Sequence, residues 1–591
     1  MSSFYSKKDL FFQLFEHLEV ENLNRYPYFK DHHQENFEMV LDAAEQIAQK
    51  SLYPLLTEMD RKEPILENGK IKIHPRMKAI IRQFGKDGWI NATFPYEEGG
   101  QQLPWSIHLA AGYILQAANY SASVFPFLTT GAANLIRTFG NDELIKRFTP
   151  SMYSGEWQGT MALTEPDAGS SLSDITTTAY PTSTKGEYRI KGQKIYISCG
   201  DHDACENVIH LMLARIEGAP AGTKGISLFV VPKIIPETSL PNDVLTEGLY
   251  HKMGYKGAPI AHLMIGSNEG ALGYLVGEEN HGLRYMFQMM NEARIGVGMN
   301  AVAIAQAAFQ ASLAYAKERP QGRKLTEKDL SKPQVPIIQH ADVKRMLLLQ
   351  KCVTEGSLAL LLYCSKLMDE STHESEEINK KQKHALLELL TPIAKSYPSE
   401  MGLQSTSAAV QILGGAGYTQ DFPVEQYYRE ARIHPIHEGT TGIHGLDLLG
   451  RKIFLNDGLG WKMLHQHIED DLSTYQGPED IRNQFEKGWN LAQNAAASLL
   501  QKAQEGPEIF LADATLFLEL CGIISVGWMW IRQASLSSMN MKKENADTAF
   551  YYGKIETARY FMEYEIPKIS ALSQRLHSTS YPTLDMRDYW F

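Results

Sequence analysis

The sequence predicts a multi-domain α+β protein in which a β-rich block separates two helical regions. From about Asp9 to Gln158 apolar residues recur at helical spacing, as in HQENFEMVLDAAEQIAQKSLYPLL. The pattern then changes to short β-branched or alternating runs such as EYRIKGQKIYISCGD and KGISLFVVPK, which are typical of strands. Helical spacing returns from Leu283 to the end. We therefore expect an N-terminal helical domain (1–158), a central β-domain (159–282), a helical bundle (283–455) and an additional helical domain (456–591).

Composition and charge exclude several classes of protein. The chain is 43% hydrophobic and 21% charged, as is usual for a soluble globular protein. Its net charge of -12, with acidic and basic residues mixed, argues against a general nucleic-acid binder but leaves room for a local basic patch. Five cysteines without CxxC spacing speak against a disulfide framework and a structural zinc. A reducing compartment, the bacterial cytoplasm, is the simplest expectation.

Two segments resemble membrane or targeting sequences but have a simpler interpretation. The first twenty residues are interrupted by Asp9, Gln13 and Glu16, which favours an amphipathic helix. The apolar run from Leu516 to Ile531 is shorter than the roughly 20 residues that span a bilayer, so we expect a buried helix and consider membrane contact unnecessary. We expect the tryptophans of this last region, Trp528, Trp530 and Trp590, to be core or interface residues.

The stretch IHPIHEGTTGIHGLDLLGRK (433–452) carries three histidines and a glutamate, which suggests a metal site. A helical zinc pair needs two histidines on one face with the glutamate between them, as in HExxH. Here Glu438 follows the second histidine, and Pro435 between His434 and His437 breaks helical geometry. The order of residues therefore argues against zinc, and we expect no metal.

Three glycine- or hydroxyl-rich stretches suggest phosphate binding. GVGMNA (296–301) fits GxGxxA, but it lies in a helical pattern with no preceding strand, so close helix packing is the better interpretation. LTEPDAGSSLSD (163–174) is either a serine-rich turn or a loop whose amides receive a phosphate or a flavin edge. QILGGAGYTQ (411–420) is either a helix C-cap or a second such loop. The residues alone leave these two alternatives open.

Taken together and in this order, the motifs resemble the acyl-CoA dehydrogenase family over roughly residues 35–452. ALTEPDAGS resembles its flavin loop, GQKIYISCG its β-domain signature, and QILGGAGYTQDFPVEQYYREARI followed by HEGTTGI its C-terminal signature. The length, the ERPQG loop and the helices after Arg451 are most similar to the long bacterial branch that contains 3-methylmercaptopropionyl-CoA dehydrogenase. The resemblance implies a central β-barrel-like domain and a C-terminal four-helix bundle, with FAD between them and the dimer partner contributing.

The resemblance also implies roles for individual residues. Glu438 is implied to be the base that removes the α-proton of an acyl-CoA thioester, while hydride passes from the β-carbon to flavin N5 and trans-2-enoyl-CoA forms. Gly439 is implied to let the backbone approach the flavin and the substrate. The implied FAD contacts are Met161, Leu163, Thr164, Ser170, Tyr196, Ser198, Arg319, Gln411, Gly414, Gly415 and Thr440. The implied substrate contacts are Ser170, Asn291, Arg294 and Gly439.

The chain departs from the family pattern at several positions. His437 stands where many relatives have Tyr, and Gly442 and His444 replace common glutamines, so no cofactor role is assigned to the latter two. The alternative position for the base in some subfamilies is Ala293 here, which favours Glu438. The ERPQG loop (318–322) stands where relatives have an aromatic-containing segment.

The resemblance implies an FAD-dependent acyl-CoA dehydrogenase that passes electrons to an electron-transfer flavoprotein and forms a homodimer or a higher homo-oligomer. An acyl-CoA oxidase, a nitroalkane-oxidase-like enzyme and a flavin-binding assembly or scaffold protein of the same fold are the alternatives. The branch hints at a short or sulfur-containing acyl chain, and no residue decides between these substrates.

Overall fold

The computed structural model describes residues 4–591, apart from the side chains of residues 287–290. The chain forms two compact units. The first unit consists of Asp42–Leu103 and Ile114–Ala293, and the second of Met1–Leu41, Pro104–Tyr113 and Arg294–Phe591. The order of secondary structure is helices, strands, helices and further helices, which confirms the predicted fold class.

The N-terminal region is mainly helical. Its elements are α1 Lys7–Phe11, α2 Gln34–Ile47, α3 Leu56–Arg61, β1 Ile65–Glu67, β2 Lys70–Lys72, α4 Met77–Lys86, α5 Trp105–Ala118, α6 Tyr120–Phe139 and α7 Asp142–Tyr153. The chain begins with a helix, as expected, and α1 continues as a π turn at Phe12–His17. The hairpin β1–β2 also interrupts the helical pattern. Its turn, Asn68–Gly69, has φ of 51° and 73°, the left-handed pair that a two-residue type I′ turn requires.

The central block is a sheet of eight strands. They are β3 Trp157–Ala162, β4 Thr178–Pro181, β5 Glu187–Ser198, β6 Asn207–Ile216, β7 Ile226–Pro232, β8 Val244–Leu249, β9 Ile260–Ile265 and β10 Ala271–Val276. Their order is β10-β7-β6-β4-β5-β9-β8, and β3 pairs with β6. Because β10 also pairs with β5, the path closes on itself into a barrel-like ring. Helix α6 packs closely on β3, since a Cβ at Gly159 would lie 2.7 Å from the Ala132 Cβ.

Three long helices form the centre of the second unit. The helices that follow the sheet are α8 Gly282–Glu318, α9 Ala341–His373, α10 Glu377–Leu413, α11 Val424–Ala431 and α12 Thr441–Gly450. GVGMNA lies wholly inside α8, which confirms a helix in place of a dinucleotide-binding turn. A Cβ at Gly298 would lie 2.1 Å from the Ala394 carbonyl oxygen of α10. The small residue therefore permits close packing of the two helices, as the sequence predicts.

The remaining helices pack onto this centre. They are α13 Leu455–Ser473, α14 Glu479–Lys502, α15 Pro507–Leu511, α16 Ala514–Asn540, α17 Thr548–Tyr564, α18 Lys568–His577 and α19 Pro582–Asp585. Helix α16 contacts α9, α10 and α12. Trp528 and Trp530 are fully buried, and the Trp530 indole donates to the Cys352 carbonyl oxygen of α9 at 3.0 Å. Trp590 is not a core residue, because its side chain is 58% exposed, so of the two expected positions only an interface remains a prediction for it.

A buried charge cluster connects distant parts of the second unit. The Lys554 ammonium of α17 pairs with Asp9 of α1 and lies 2.8 Å from a Glu355 carboxylate oxygen of α9. All three side chains are buried.

Three helical segments, Asn291–Glu318, Ala341–His373 and Ala514–Asn540, are long and apolar enough to cross a membrane, by length and composition alone. Their most apolar windows are 72%, 83% and 83% buried inside the protein, as expected for the last of them. All five cysteines are free thiols.

Candidate active site

The turn between α11 and α12 presents Glu438 in an uncommon backbone conformation. The amides of Ile436 and His437 both donate to the Ile433 carbonyl oxygen, at 2.9 and 3.1 Å. Glu438 then has φ of 52° and Gly439 has φ of 91°. A left-handed glutamate costs free energy, and such residues persist where surrounding contacts hold them, often at functional sites. Thr440 ends the turn as the N-cap of α12 by accepting from the Ile443 amide.

The Glu438 side chain is half-buried, and its carboxylate oxygens are not engaged by the described side chains. It has no hydrogen-bond or ion-pair partner among the side chains that the structure describes. Burial raises the pKa of Glu438, while the positive charges of Lys395 and Arg294 act in the opposite direction. A carboxylate with a raised pKa and free lone pairs is suited to accept a proton.

Helix α10 holds this turn through two side chains. The fully buried Lys395 donates from Nζ to the Gly439 carbonyl oxygen at 2.6 Å. One turn further on, Glu400 accepts from the Thr441 hydroxyl at 2.5 Å. Burial lowers the pKa of Lys395 to about 8, although Glu438 and Glu400 raise it. The resemblance had assigned no role to either residue.

The three histidines of the stretch are neutral structural partners. Nδ1 of His434 lies 3.1 Å from Nε2 of His437, so one ring donates to the other. Burial lowers the pKa of His437 to about 3 and that of His434 well below its usual value. Nε2 of His444 lies 3.1 Å from the Glu438 carbonyl oxygen and supports the turn from α12. Among the described residues, no group of three or more His, Cys, Asp or Glu side chains is arranged to hold a metal ion.

The conformation of the turn and the packing of His444 both require a glycine at position 439. Besides its positive φ, a Cβ there would lie 2.9 Å from Nε2 of His444. The sequence-based expectation attributed this glycine to close approach of a ligand, whereas the His444 ring already excludes a side chain. His444 therefore contributes to the turn, a contact that no local pattern indicates.

Arg294 is close to this turn but engaged. The buried guanidinium donates from Nη1 to Asp447 of α12 at 2.8 Å. Its Nε is buried and has no hydrogen-bond partner among the described groups. Asn291, three residues earlier on α8, is half-buried.

Other residues of the implied FAD set lie where α8 and α10 end. Tyr315 of α8 contacts Phe422 with ring centroids 5.4 Å apart, which brings the end of α8 to the loop after α10. Arg319 follows α8 and is exposed, with no ion-pair partner among the described side chains. Gln411, Gly414 and Gly415 are also exposed. Gly414, at φ of 61°, caps α10, and a Cβ on it or on Gly415 would meet nothing within 4 Å.

In the first unit, the loop after β3 is held by a buried ion pair. The fully buried Lys194 of β5 donates to the Glu165 carboxylate at 2.8 Å and to the Leu163 carbonyl oxygen at 3.0 Å. Glu165 also accepts from the amides of Thr176 and Thr177. This network fixes the segment with the implied FAD contacts Met161, Leu163 and Thr164, which are half-buried, and Ser170, which is exposed.

The β5 strand presents an aromatic surface. Tyr196 is 60% exposed and has φ of 58° at an irregularity in the pairing of β5 with β9. Its ring lies 4.5 Å, centroid to centroid, from that of Tyr250. Ser198 is half-buried, and its carbonyl oxygen accepts from Thr160 at 2.7 Å. The structure therefore brings Met161, Leu163, Thr164, Tyr196 and Ser198 onto neighbouring strands and loops of one unit, and it shows Lys194, Glu165 and Tyr250 as supporting residues that the sequence analysis missed.

Comparison with known proteins identifies the family. Residues 34–156 match the acyl-CoA dehydrogenase N-terminal domain, 160–267 the middle domain, 280–453 the C-terminal domain, and 462–587 a domain described as acetyl-CoA dehydrogenase C-terminal like. The chain is 38% identical to 3-methylmercaptopropionyl-CoA dehydrogenase of Ruegeria pomeroyi, over 89% of this chain and 90% of that protein. It is 30% identical to a broad-specificity linear acyl-CoA dehydrogenase of Mycobacterium tuberculosis, over 99% of both chains.

Solved structures share the fold. ACDH-11 of Caenorhabditis elegans in complex with C11-CoA has a TM-score of 0.75 at 20% identity, over 94% of this chain and 93% of that chain. An acyl-CoA dehydrogenase of Bacillus anthracis complexed with FAD has a TM-score of 0.74 at 21% identity, over 94% and 90%. A chain from the electron transferring flavoprotein structure of Acidaminococcus fermentans has a TM-score of 0.58 at 25% identity, over 72% and 100%. The protein therefore belongs to the acyl-CoA dehydrogenase family, a family of flavoprotein oxidoreductases that act on acyl-CoA thioesters.

Proposed function

We propose that the protein is an FAD-dependent acyl-CoA dehydrogenase in which Glu438 removes the α-proton of the acyl-CoA thioester. The observation that carries this proposal is the Glu438 carboxylate, which is half-buried, has no partner among the described side chains, and sits in a left-handed turn clamped by Lys395 and His444. The names of the relatives support the substrate class.

The α-CH of a thioester is a very weak acid, so the base and the developing charge both need help. Burial raises the pKa of Glu438 towards the operating range, which makes the carboxylate a better base at neutral pH. The Glu438 amide makes no hydrogen bond within the described part of the chain. That N–H is available to the thioester oxygen, where a preorganised donor stabilises enolate-like charge.

The residues present fit FAD, which when bound accepts the hydride from the β-carbon. In the β-domain, exposed Tyr196 offers a flat wall for an isoalloxazine ring. Ser198 follows it two positions later on β5, and Met161 of β3 with Leu163, Thr164 and Ser170 of the next loop belong to the same domain. In the other unit, Arg319 is a guanidinium without an ion-pair partner among the described side chains and suits a pyrophosphate, and the open backbone at Gly414 and Gly415 leaves room for a ligand. Gln411 and Thr440 complete the proposed set. The Bacillus anthracis structure, complexed with FAD, supports the choice of cofactor.

Ser170, Asn291, Arg294 and Gly439 are the proposed contacts to the acyl-CoA. Arg294 differs from a free anion receptor, because Asp447 already accepts from its Nη1. Its Nε, buried without a hydrogen-bond partner among the described groups, is one N–H that is not used within the chain. We propose that Arg294 both fixes α12 through Asp447 and retains N–H donors for the acyl-CoA.

We also propose an electron-transfer flavoprotein as electron acceptor, and a homodimer or higher homo-oligomer as the assembly. The fold shared with a chain of the Acidaminococcus fermentans structure supports the first. The exposed Arg319, positioned in the family to reach the FAD of a neighbouring subunit, supports the second. Five free thiols are in keeping with the proposed reducing, cytoplasmic location.

Anaerobic titration tests the proposal. Purified FAD-loaded protein is mixed with acyl-CoAs from C3 to C18 chain length, including the methylthio compound, and the visible flavin band is followed. At least one thioester should bleach it. Glu438→Gln should retain FAD and lose this reduction, whereas Glu565→Gln, at a buried carboxylate paired with Lys568 in the tail, should react normally. Normal reduction by Glu438→Gln would remove Glu438 as the base. Peroxide formation at a stoichiometric rate in air would favour an oxidase.

A further inference from the structure

Lys395 is a buried ammonium whose hydrogen bond goes to a backbone carbonyl. Its side chain is fully buried in α10, and Nζ donates to the Gly439 oxygen at 2.6 Å. No carboxylate of the described residues lies within ion-pair distance of it. A buried charge without a direct counter-ion is costly, so a lysine at this position needs a reason beyond packing.

The charge of Lys395 acts on Glu438 and on the three histidines around the turn. It opposes the raised pKa of Glu438 and lowers the pKa values of the three nearby histidines. The charged and titratable groups that face the turn are Arg294 of α8, Lys395 and Glu400 of α10, His434, His437 and Glu438 of the turn itself, and His444 and Asp447 of α12. Arg294 is the other cation, and it is neutralised by Asp447. Lys395 is therefore the one cation in this set without a direct carboxylate partner.

We propose that Lys395 is the positioning residue of the dehydrogenation, which holds the left-handed Glu438–Gly439 turn through its hydrogen bond and keeps Glu438 in the carboxylate form through its charge. This inference rests on the proposed role of Glu438. The ammonium is hydrogen-bonded to the neighbouring carbonyl and not to the carboxylate, so the carboxylate lone pairs stay free for the α-proton. Full ion pairing would instead occupy those lone pairs and weaken the base.

Three substitutions separate the two roles. Lys395→Met removes both the hydrogen bond and the charge. Lys395→Gln retains a donor of shorter reach but removes the charge. Lys395→Arg retains the charge. The control is Lys502→Met, because Lys502 is also a buried lysine that donates to backbone carbonyls, those of Leu576 and Ser578 at 2.8 and 2.6 Å, far from Glu438 along the chain.

The measurement is the rate of anaerobic flavin reduction by an acyl-CoA as a function of pH, with hydrogen–deuterium exchange of residues 436–444 as a readout independent of activity. Loss of the Lys395 charge raises the pKa of Glu438 further, so less of it is carboxylate at a given pH. On the acid side of the pH–rate profile, here called the acid limb, the rate falls as Glu438 is protonated. We expect this limb to shift to higher pH by about one unit in Lys395→Met and Lys395→Gln, with a rate about tenfold lower at a given pH on that limb. The acid limb of Lys395→Arg and that of Lys502→Met should both coincide with the wild-type limb. Exchange in the turn should rise in Lys395→Met.

The outcomes are distinguishable. An acid limb that coincides with the wild-type limb in Lys395→Met overturns the inference about Lys395 and leaves Glu438 as base. If Lys395→Met fails to retain FAD, the comparison of Lys395→Gln with Lys395→Arg decides, and equal limbs in these two variants overturn it. If no acyl-CoA reduces the wild-type flavin, the proposed function fails. In that case, unchanged hydrogen–deuterium exchange of residues 436–444 in Lys395→Met would also show that the Lys395 hydrogen bond does not hold the turn.

Discussion

The Lys194 ammonium lies 2.8 Å from the Glu165 carboxylate, and both side chains are almost completely buried. The pair joins strand β5 to the loop after β3, where three of the proposed FAD contacts lie, and Lys194 also donates to the Leu163 carbonyl oxygen of that loop. Burial raises the pKa of Glu165, but the charge of Lys194 and the threonine hydrogen bonds outweigh this effect, so the pKa is lowered overall. The carboxylate is thus held ionised.

Lys194→Met should destabilise the β-domain and release FAD. Removal of one partner leaves a buried charge uncompensated, which costs about 3–5 kcal/mol of unfolding free energy. The double variant Lys194→Met, Glu165→Gln should recover part of that loss. The checks are denaturant unfolding and the ratio of FAD to protein after gel filtration. Equal stability of wild type and Lys194→Met would show that the pair contributes nothing.

Arg319→Ala should weaken FAD retention without lowering thermal stability. The side chain is exposed and has no ion-pair partner among the described residues, so the folded apoprotein loses little. A fixed guanidinium on a pyrophosphate contributes about 1.5–3 kcal/mol in charge-assisted hydrogen bonds, which is roughly a ten- to hundredfold change in affinity. Fluorescence titration of apoprotein with FAD measures it, and Arg76→Ala, at another exposed arginine, is the control. Unchanged affinity would remove Arg319 from the site.

Mild acid should destabilise the Glu438 turn through its histidines. Burial lowers the pKa values of His437 and His444 to about 3, below the value of 6.5 in the unfolded chain. The unfolded state binds protons between these values and the folded state does not, so stability is complete above pH 6.5 and falls as pH drops towards 3. Each histidine should cost ~2 kcal/mol by pH 5.

Unfolding by urea at pH 5 and pH 7 checks this expectation. Wild type should lose more stability between the two pH values than His437→Asn, which retains polar groups without an ionising ring. The same pH dependence in both proteins would exclude His437 as a source of the acid sensitivity.

Trp530→Ala should cost about 3–5 kcal/mol of unfolding free energy, because a large side chain in contact with α9 is replaced by a cavity. Trp590→Ala, at an indole that is 58% exposed, should stay within about 0.5 kcal/mol of wild type. Thermal unfolding of the two variants measures the contrast.

Truncation after Arg451 should give insoluble or FAD-poor protein, because it removes helices that pack against the bundle. A soluble, FAD-loaded truncation would show that the tail is not needed for the bundle.

Much of the fold could be predicted because long helices and buried strands have regular apolar periods. The hairpin β1–β2 was missed although Asn68–Gly69 between apolar residues is a strong hairpin signal, since the surrounding helical pattern dominated the interpretation. The core or interface expectation for Trp590 could not be narrowed from the sequence, because residue type indicates burial only on average. The proposed domain boundaries stay predictions.

At the site, the family motifs predicted Glu438 and its neighbours but not the residues that hold them. Lys395 and Gly439 are 44 positions apart, and His444 reaches back over a turn to the Glu438 carbonyl. Lys194 and Glu165 come together only through the sheet. Such contacts depend on tertiary packing and carry no local pattern. The left-handed conformation of Glu438 is likewise imposed by its surroundings, since glutamate has no preference for it.

The pairing of Lys554 with Asp9 has a consequence for synthesis of the protein. The two residues are 545 positions apart, so at cellular rates of translation the ribosome makes the ammonium about half a minute to two minutes after the carboxylate. During that interval Asp9 lacks its lysine partner, so burial of α1 would leave the Asp9 carboxylate without its ion pair, which is energetically costly. Glu355 on α9 already has Lys351 as an ion-pair partner on the same helix, so Asp9 is the carboxylate that depends on the late ammonium. We therefore expect α1 to reach its final buried position only after α17 has left the exit tunnel.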